Sequence, residues 1–282
     1  MIKRAIEERI HNALAKKKIV TIMGPRQVGK STLAGAMIPE DADDLEINGD
    51  NTDVQTMFVN VDDTKMKVLI GNKNFLFVDE AQKIGNVGNM LKIVAEKFDD
   101  VKVIVTGSSA FKLAEAVNES LTGRKREFRL YPLSFKEMAD ETSVLEESRM
   151  IDHRLIYGYY PEVVTSPGDE KEVIKELIDS YLYKDVLEDN EIAKQDKLVR
   201  LVQALAFQIG STVSANELAG LVGVDAKTVE RYIDILEKCY IIFTLPSYAK
   251  NQRNELKFAR KIYFWDMGIR NGVIGNMAPV SL

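Results

Sequence analysis

Cysteine and histidine are nearly missing from these 282 residues, which hold one Cys, Cys239, and two His, His11 and His153. A lone thiol closes no internal disulfide, and three such ligands fall short of a Cys/His zinc site. No apolar run approaches the roughly 18–20 residues a membrane span needs. The N-terminal MIKRAIEERIHNALAKKK has no continuous apolar block of the kind a signal peptide carries. These absences predict a metal-poor chain in a reducing compartment, most simply the cytoplasm, with no membrane partner. What is present, 45% hydrophobic and 29% charged residues, makes a globular chain of about two domains, because single cores stop growing near 250–300 residues.

The net charge of −5 is unevenly spread. Glu40 to Asp63 holds nine carboxylates and no Lys or Arg, whereas Lys250 to Lys261 holds five cations and one Glu. An acidic chain is a poor general nucleic-acid binder, but electrostatic capture needs only one basic face, and that face would be C-terminal.

Ile2, Ile6, Ile10 and Leu14 recur every fourth residue, a helical stripe. Short apolar runs follow at Ile19–Met23, Met57–Val61, Phe75–Val78 and Val101–Val105, with a fifth at Glu127–Tyr131. Their length, content and helix-sized separations predict an α/β parallel sheet with crossover helices. The acidic segment 40–63 reads as a solvated loop leading to the second strand. From Ser134 the period becomes helical, as in Lys171–Leu187 and Lys197–Ile209. Helix patterns at Ser214–Leu221 and Ala226–Lys238, then strand-like runs at Tyr240–Leu245 and Lys261–Trp265, read as helix–turn–helix with a two-stranded wing. The resulting division is a phosphate-loop domain over residues 1–133, a helical lid over 134–210 and a winged helix over 211–282.

The strongest motif is Gly24-Pro25-Arg26-Gln27-Val28-Gly29-Lys30-Ser31, which fits G-x-x-x-x-G-K-[ST] between an apolar strand and a helix. Glycines let successive backbone N–H groups turn inward around phosphate oxygens, and the helix that begins there adds the positive end of its dipole. Lys30 would set its ammonium against the β- and γ-phosphates, and Ser31 would give its hydroxyl to Mg²⁺. Thr32 is grouped with this nucleotide-binding loop, although the pattern places it in the helix. Arg26 reads either as a further contact or as a solvated loop charge.

Phe75-Leu76-Phe77-Val78 ends in Asp79-Glu80. In a phosphate-loop protein the first acid at such a strand end helps hold Mg²⁺, and the second can orient or deprotonate the attacking water. A further strand ends in Thr106-Gly107-Ser108-Ser109, whose hydroxyls could reach the γ-phosphate or its water, or form a plain turn. Arg124 is either a transition-state cation offered to a neighbouring subunit or one charge in a basic turn. Guanine recognition needs an N-K-x-D run, and Asn72-Lys73-Asn74-Phe75 lacks the Asp, so adenine, and hence ATP, is expected.

The runs GPRQVGKST, FLFVDEAQ, VIVTGSS, LTGR, YPLSF, YPEVVTS, SYLYKDV, ANELAGLVGVDAKTVERYIDILEK and KIYFWDMGIRN resemble the AAA+ superfamily ATPases of bacteria and archaea whose ATPase domain is joined to a C-terminal domain of unknown function. The resemblance implies a five-stranded parallel sheet with the phosphate-loop strand central, helices on both faces, an inserted strand between the two nucleotide motifs, a helical lid and a winged helix. It implies Walker A roles for Lys30 and Ser31, Walker B roles for Asp79 and Glu80, a polar sensor at Thr106 or Ser108, and an arginine finger at Arg124. Pro25-Arg26-Gln27 departs from the further Gly of many members. Members usually continue into a nuclease-like region, whereas this sequence stops at Leu282, as a truncated or a naturally short form.

The function expected is Mg²⁺-dependent ATP hydrolysis that moves the lid and winged helix against the sheet domain, with a homo-oligomer or a protein client as candidate partner. The alternative is an ATP-switched DNA-binding or interaction module. For that module the candidate contacts are Lys227 and Arg231 on the second helix and Lys250 and Arg253 beyond it.

Overall fold

The computed structural model describes residues 1–108, 121–180, 195–246 and 260–279. The chain forms two compact units, Met1–Tyr131 and Pro132–Leu282. Among the described residues no helix is long and apolar enough to cross a membrane.

The first unit runs α1 (Glu7–Ala15), β1 (Ile19–Met23), α2 (Lys30–Ala36), β2 (Asp44–Asn48), α3 (Thr52–Met57), α4 (Asp63–Ile70), β3 (Phe75–Asp79), α5 (Val87–Lys97), β4 (Lys102–Gly107) and β5 (Lys125–Arg129). Its five strands pair in the order β2-β3-β4-β1-β5, all parallel. Every residue of β1 and β3 is buried, as strands covered on both faces require. Val20, Ile22, Phe75, Phe77, Ile104 and Phe128 share one cluster with Ile10 and Leu14 of α1 and Leu33 and Ala34 of α2. The intervening Leu76, Val78, Val103 and Val105 point to the opposite face and are buried too. β4 lies between the strands that carry the two nucleotide motifs, as the resemblance implied.

Three expectations about this unit change. The second strand is not Met57–Val61 but Asp44–Asn48, inside the segment expected to be a loop. It pairs on one side only, and its outward positions are solvated, so its acids suit an edge strand. Met57 instead ends α3, and Phe58 and Val61 are buried in the turn that follows, before Asp62 caps α4 by accepting from the Lys65 N–H at 2.8 Å. A short apolar run does not distinguish a strand from a buried turn. The phosphate-loop strand β1 is interior but not central, since β4 holds the middle place. The N-terminal helix begins at Glu7, so Ile2 and Ile6 precede it.

The second unit continues α6 (Phe135–Glu141), α7 (Val144–Arg149), α8 (Ile151–Tyr157), α9 (Pro161–Thr165), α10 (Glu170–Leu177), α11 (Gln195–Phe207), β6 (Thr212–Val213), α12 (Ala215–Val222), α13 (Ala226–Lys238), β7 (Ile242–Leu245), β8 (Arg260–Phe264) and α14 (Met267–Val273). Strands order β6-β8-β7, both pairs antiparallel, so the two expected C-terminal strands gain a third, β6. Ser214 and Asp225 accept backbone N–H groups at the starts of α12 and α13, so the two helices expected at Ser214–Leu221 and Ala226–Lys238 form at Ala215–Val222 and Ala226–Lys238. One apolar cluster runs through this unit from Tyr160 to Val273.

Candidate functional site

Parallel strands deliver their C-terminal ends to one sheet edge, and there Met23 stands opposite Gly107 and Asn48 opposite Asp79. The glycine-rich loop leaves β1 at that edge. Gly24 is required for packing, because a Cβ there would lie 2.0 Å from the Leu130 carbonyl oxygen. Gly29 is required for conformation, with φ of +90° at the residue that opens α2. Between them Val28 is fully buried and pins the loop to the core, while Gln27 is exposed and Arg26 half-buried. Pro25 turns its carbonyl inward and accepts from Lys30 Nζ at 2.7 Å. Thr32 lies exposed in the first turn of α2.

The loop and the acid strand meet through Ser31, whose hydroxyl donates to Asp79 at 2.9 Å to Oδ1 and 2.8 Å to Oδ2. Asp79 also accepts from the hydroxyl of Thr106, a fully buried side chain, and the Thr106 oxygen accepts the Glu80 N–H at 3.4 Å. Thr106 therefore stitches the two acids together from below. Ser108 is more accessible and donates to Glu80 Oε2 at 3.2 Å. Ser109 lies outside the described residues.

Residues the sequence reading passed over complete this edge. Gln82 donates through Nε2 to Glu80 Oε2 and to Ser108 Oγ, the latter at 2.9 Å. Glu80 itself has a left-handed backbone, φ 46° and ψ 44°, uncommon for a residue with a side chain. Gly49, after β2, donates to the Asp79 carbonyl at 2.9 Å, and a Cβ on it would lie 2.3 Å from the Glu80 carbonyl oxygen. The buried Arg4 donates to the Val28 carbonyl of the loop at 2.9 Å. Gln82 closes the run FLFVDEAQ but draws no role from the sequence, and no spacing rule links Arg4 to a phosphate loop, so their placement reveals what they do.

Arg124 is not part of this constellation. It immediately precedes β5, at the N-terminal sheet edge, opposite the loop, and pairs with Glu96 at 3.0 Å. Whatever nucleotide it could serve is not held by its own loop. In the second unit Lys227 and Arg231 are exposed on α13, with the Arg231 guanidinium 5.5 Å from the Tyr232 ring centroid. Lys238 pairs with Asp234 at 2.7 Å and Arg260 pairs with Glu230. Lys250 and Arg253 lie outside the described residues.

Residues 16–139 match the family model described as "AAA domain", and residues 148–279 match a "Domain of unknown function (DUF8612)". An uncharacterized protein of Haemophilus influenzae is 26% identical over 213 residues, 72% of this chain and 53% of the relative. One of Mycobacterium tuberculosis is 24% identical over 97% of this chain and 60% of the relative. The chain thus spans little more than half the length of these curated relatives. Among solved structures, a Walker-type ATPase of Pyrococcus abyssi superposes with a TM-score of 0.64 at 15% identity, covering 97% of this chain and 96% of that one, a likeness of fold. The loop, the acid strand and both family matches agree: residues 16–139 are an AAA domain of the P-loop ATPase kind, joined to a C-terminal domain of unknown function over residues 148–279.

Proposed function

We propose that the chain binds ATP with Mg²⁺ at the loop Gly24–Ser31, hydrolyses it, and uses the cycle to move the second unit. The single observation that carries this reading is the contact of the Ser31 hydroxyl with the Asp79 carboxylate, at 2.9 and 2.8 Å across 48 positions of sequence. One hydroxyl and one carboxylate at the mouth of a phosphate loop fit Mg²⁺, which is usually held by one or two carboxylates together with phosphate oxygens and water. When bound, the ion would neutralise charge on the β- and γ-phosphate oxygens.

The chain's own groups do the rest. Loop amides take the phosphate oxygens that carbonyls cannot, and Lys30 exchanges the Pro25 carbonyl for a phosphate. Gln82 and Ser108 both hold Oε2 of Glu80, which leaves Oε1 to accept a proton from the attacking water as its oxygen bonds to the γ-phosphorus and ADP departs. Calorimetry with Mg²⁺ and ATP, followed by turnover assays, tests the scheme. Glu80→Gln should keep ATP bound while turnover falls at least about a hundredfold, and Lys30→Ala should lose both. Wild-type turnover in Glu80→Gln removes Glu80 from its role, and no ATP uptake by folded wild type removes the function.

A second reading, an ATP-switched DNA-binding or interaction module with little turnover, is favoured by one observation. Lys227 and Arg231 stand four residues apart on exposed positions of α13, the second helix of the helix–turn–helix, with no ion pair between either and a described acid. Phosphate contact predicts DNA affinity that falls steeply with salt, and no binding at low salt rejects it.

A further inference from the structure

Arg4 precedes the matched AAA region, yet it is buried and reaches the loop. Glu7 fixes its main chain, accepting the Arg4 N–H at 2.6 Å and donating its own N–H to the Arg4 carbonyl at 3.1 Å. The guanidinium then makes two charge-assisted bonds, NH1 to the Val28 carbonyl at 2.9 Å and NH2 to the Tyr131 carbonyl at 2.6 Å.

The first of these bonds sets the polarity of the loop. Within one trans peptide the C=O and N–H point in opposite directions. A Val28 carbonyl turned down to Arg4 therefore turns the Gly29 N–H the other way, away from the guanidinium. Gly29, with its φ of +90°, is the residue able to hold that orientation, and Arg4 NH1 lies 3.9 Å from where its Cβ would be. The second bond ties the same guanidinium to the exit of β5. The loop meets that exit at its start as well, where Gly24 packs on the Leu130 carbonyl and the Leu130 N–H donates to Met23 at 2.8 Å. Tyr131 is the last residue before the second unit begins.

We propose that Arg4 is a positioning residue of the phosphate site: it holds the Val28–Gly29 peptide with its N–H toward the bound phosphates, and it links that peptide to Tyr131, so that phosphate occupancy is felt where the chain leaves the first unit. The proposal rests on the ATP reading above. A planar guanidinium spans two carbonyls at once, whereas a lysine ammonium at the end of the same reach serves one.

The test uses the full chain with Arg4→Met, Arg4→Lys and wild type. Calorimetry with Mg²⁺ and ATP should show affinity weakened about tenfold or more in Arg4→Met, with Arg4→Lys in between. Amide exchange without nucleotide should quicken over residues 24–31 in Arg4→Met but not over β3, which separates local reorientation from general loosening. In wild type, ATP should slow exchange over residues 130–134, and Arg4→Met and Arg4→Lys should blunt that response. Wild-type affinity in a folded Arg4→Met overturns the proposal, as does ATP protection of residues 130–134 that survives both substitutions. If Arg4→Met does not fold, Arg4→Lys decides by the same two readouts. A folded wild type that takes up no ATP defeats the ATP reading instead, and unchanged exchange over residues 24–31 then defeats the role of Arg4 separately.

Discussion

Replacing Ser31 by Ala removes one hydroxyl that donates to both oxygens of Asp79, at 2.9 and 2.8 Å. Asp79 is only 8% exposed, so its carboxylate loses a donor that bulk water replaces incompletely. Loss of a hydrogen bond to a charged group costs about 1.5–3 kcal/mol, and the exposure of Ser31 itself brings the case to the bottom of that range or just below it, about 1–1.5 kcal/mol. For a unit of this size that is a fall in Tm of about 3–5 °C. Asp79→Asn removes the charge, and the same Ser31→Ala change made on that background should cost only about 0.5 kcal/mol, leaving a coupling of about 0.5–1 kcal/mol. The functional arm is separate. Ser31 is one of two side chains assigned to Mg²⁺, so Ser31→Ala should reduce the gain in ATP affinity that Mg²⁺ confers by at least about tenfold. Urea unfolding of the four chains and calorimetry with and without Mg²⁺ supply both readings. Additive costs would show that Ser31 and Asp79 do not touch in solution, and an undiminished Mg²⁺ effect in Ser31→Ala would refute the metal assignment even if they do.

Gly24→Ala sets a Cβ 2.0 Å from a backbone oxygen, well inside an ordinary contact, so loop or β5 must move; expect a loss of about 2–4 kcal/mol in unfolding experiments, against about 1–2 kcal/mol for Gly29→Ala, where the Cβ meets Arg4 NH1 at an unstrained 3.9 Å and only φ is strained. Arg124→Ala should leave ATP affinity unchanged and flatten any rise of specific activity with protein concentration; equal activity of both chains at every concentration removes Arg124 from catalysis. Burial pushes the Asp266 carboxyl up to about 6, against the opposing pull of the Tyr159, Ile269 and Gly268 N–H groups. The folded unit therefore holds a proton that the unfolded chain has released, and the stability this gives is fully present below about pH 4 and lost as pH rises through about 6. The swing is on the order of 3 kcal/mol. Urea unfolding followed by the single tryptophan, Trp265, should show that slope in wild type and lose most of it in Asp266→Asn; identical slopes would refute it.

The sequence discloses most where one physical demand dominates. β1 and β3 are buried on both faces and read as unbroken apolar runs, and the loop needs glycine at 24 for approach and at 29 for a positive φ. The meeting of Ser31 with Asp79 was legible because a recurring motif pair sets a hydroxyl and a carboxylate at the same sheet edge. β2 was not, since an edge strand tolerates acids on its open side and so lacks the apolar signature, while Phe58 and Val61 carry that signature into a buried turn. Gln82, although it closes the run FLFVDEAQ, and Arg4 drew no role from the sequence for another reason. Each acts on a partner through a bond that only the folded chain creates, Gln82 on Glu80 by way of a tight turn and Arg4 on Val28 from before the first helix.

The same distinction explains the residues that identify the second unit. Asp266 begins α14 by accepting the Ile269 N–H at 3.0 Å and also takes the Tyr159 N–H at 2.7 Å from a distant segment. A Cβ on Gly268 would lie 2.1 Å from the Tyr157 carbonyl oxygen, and one on Gly158 would lie 2.2 Å from Asp266 Oδ1. Asn271 donates to the carbonyls of Leu155 and Ile156 at 2.9 and 2.8 Å, and Arg270 donates to that of Ala206 at 2.9 Å. The run Asp266-Met267-Gly268-Ile269-Arg270-Asn271 is thus a clasp that satisfies the carbonyls ending α8, a donor-for-orphan exchange that a helix end requires once it is buried. Packing or hydrogen bonding accounts for Asp266, Gly268, Ile269, Arg270 and Asn271. A run of residues can therefore mark a family through packing and hydrogen bonding, whereas Lys227 and Arg231 stand exposed on α13 with no ion pair to a described acid, and the proposed DNA contact is to be tested there.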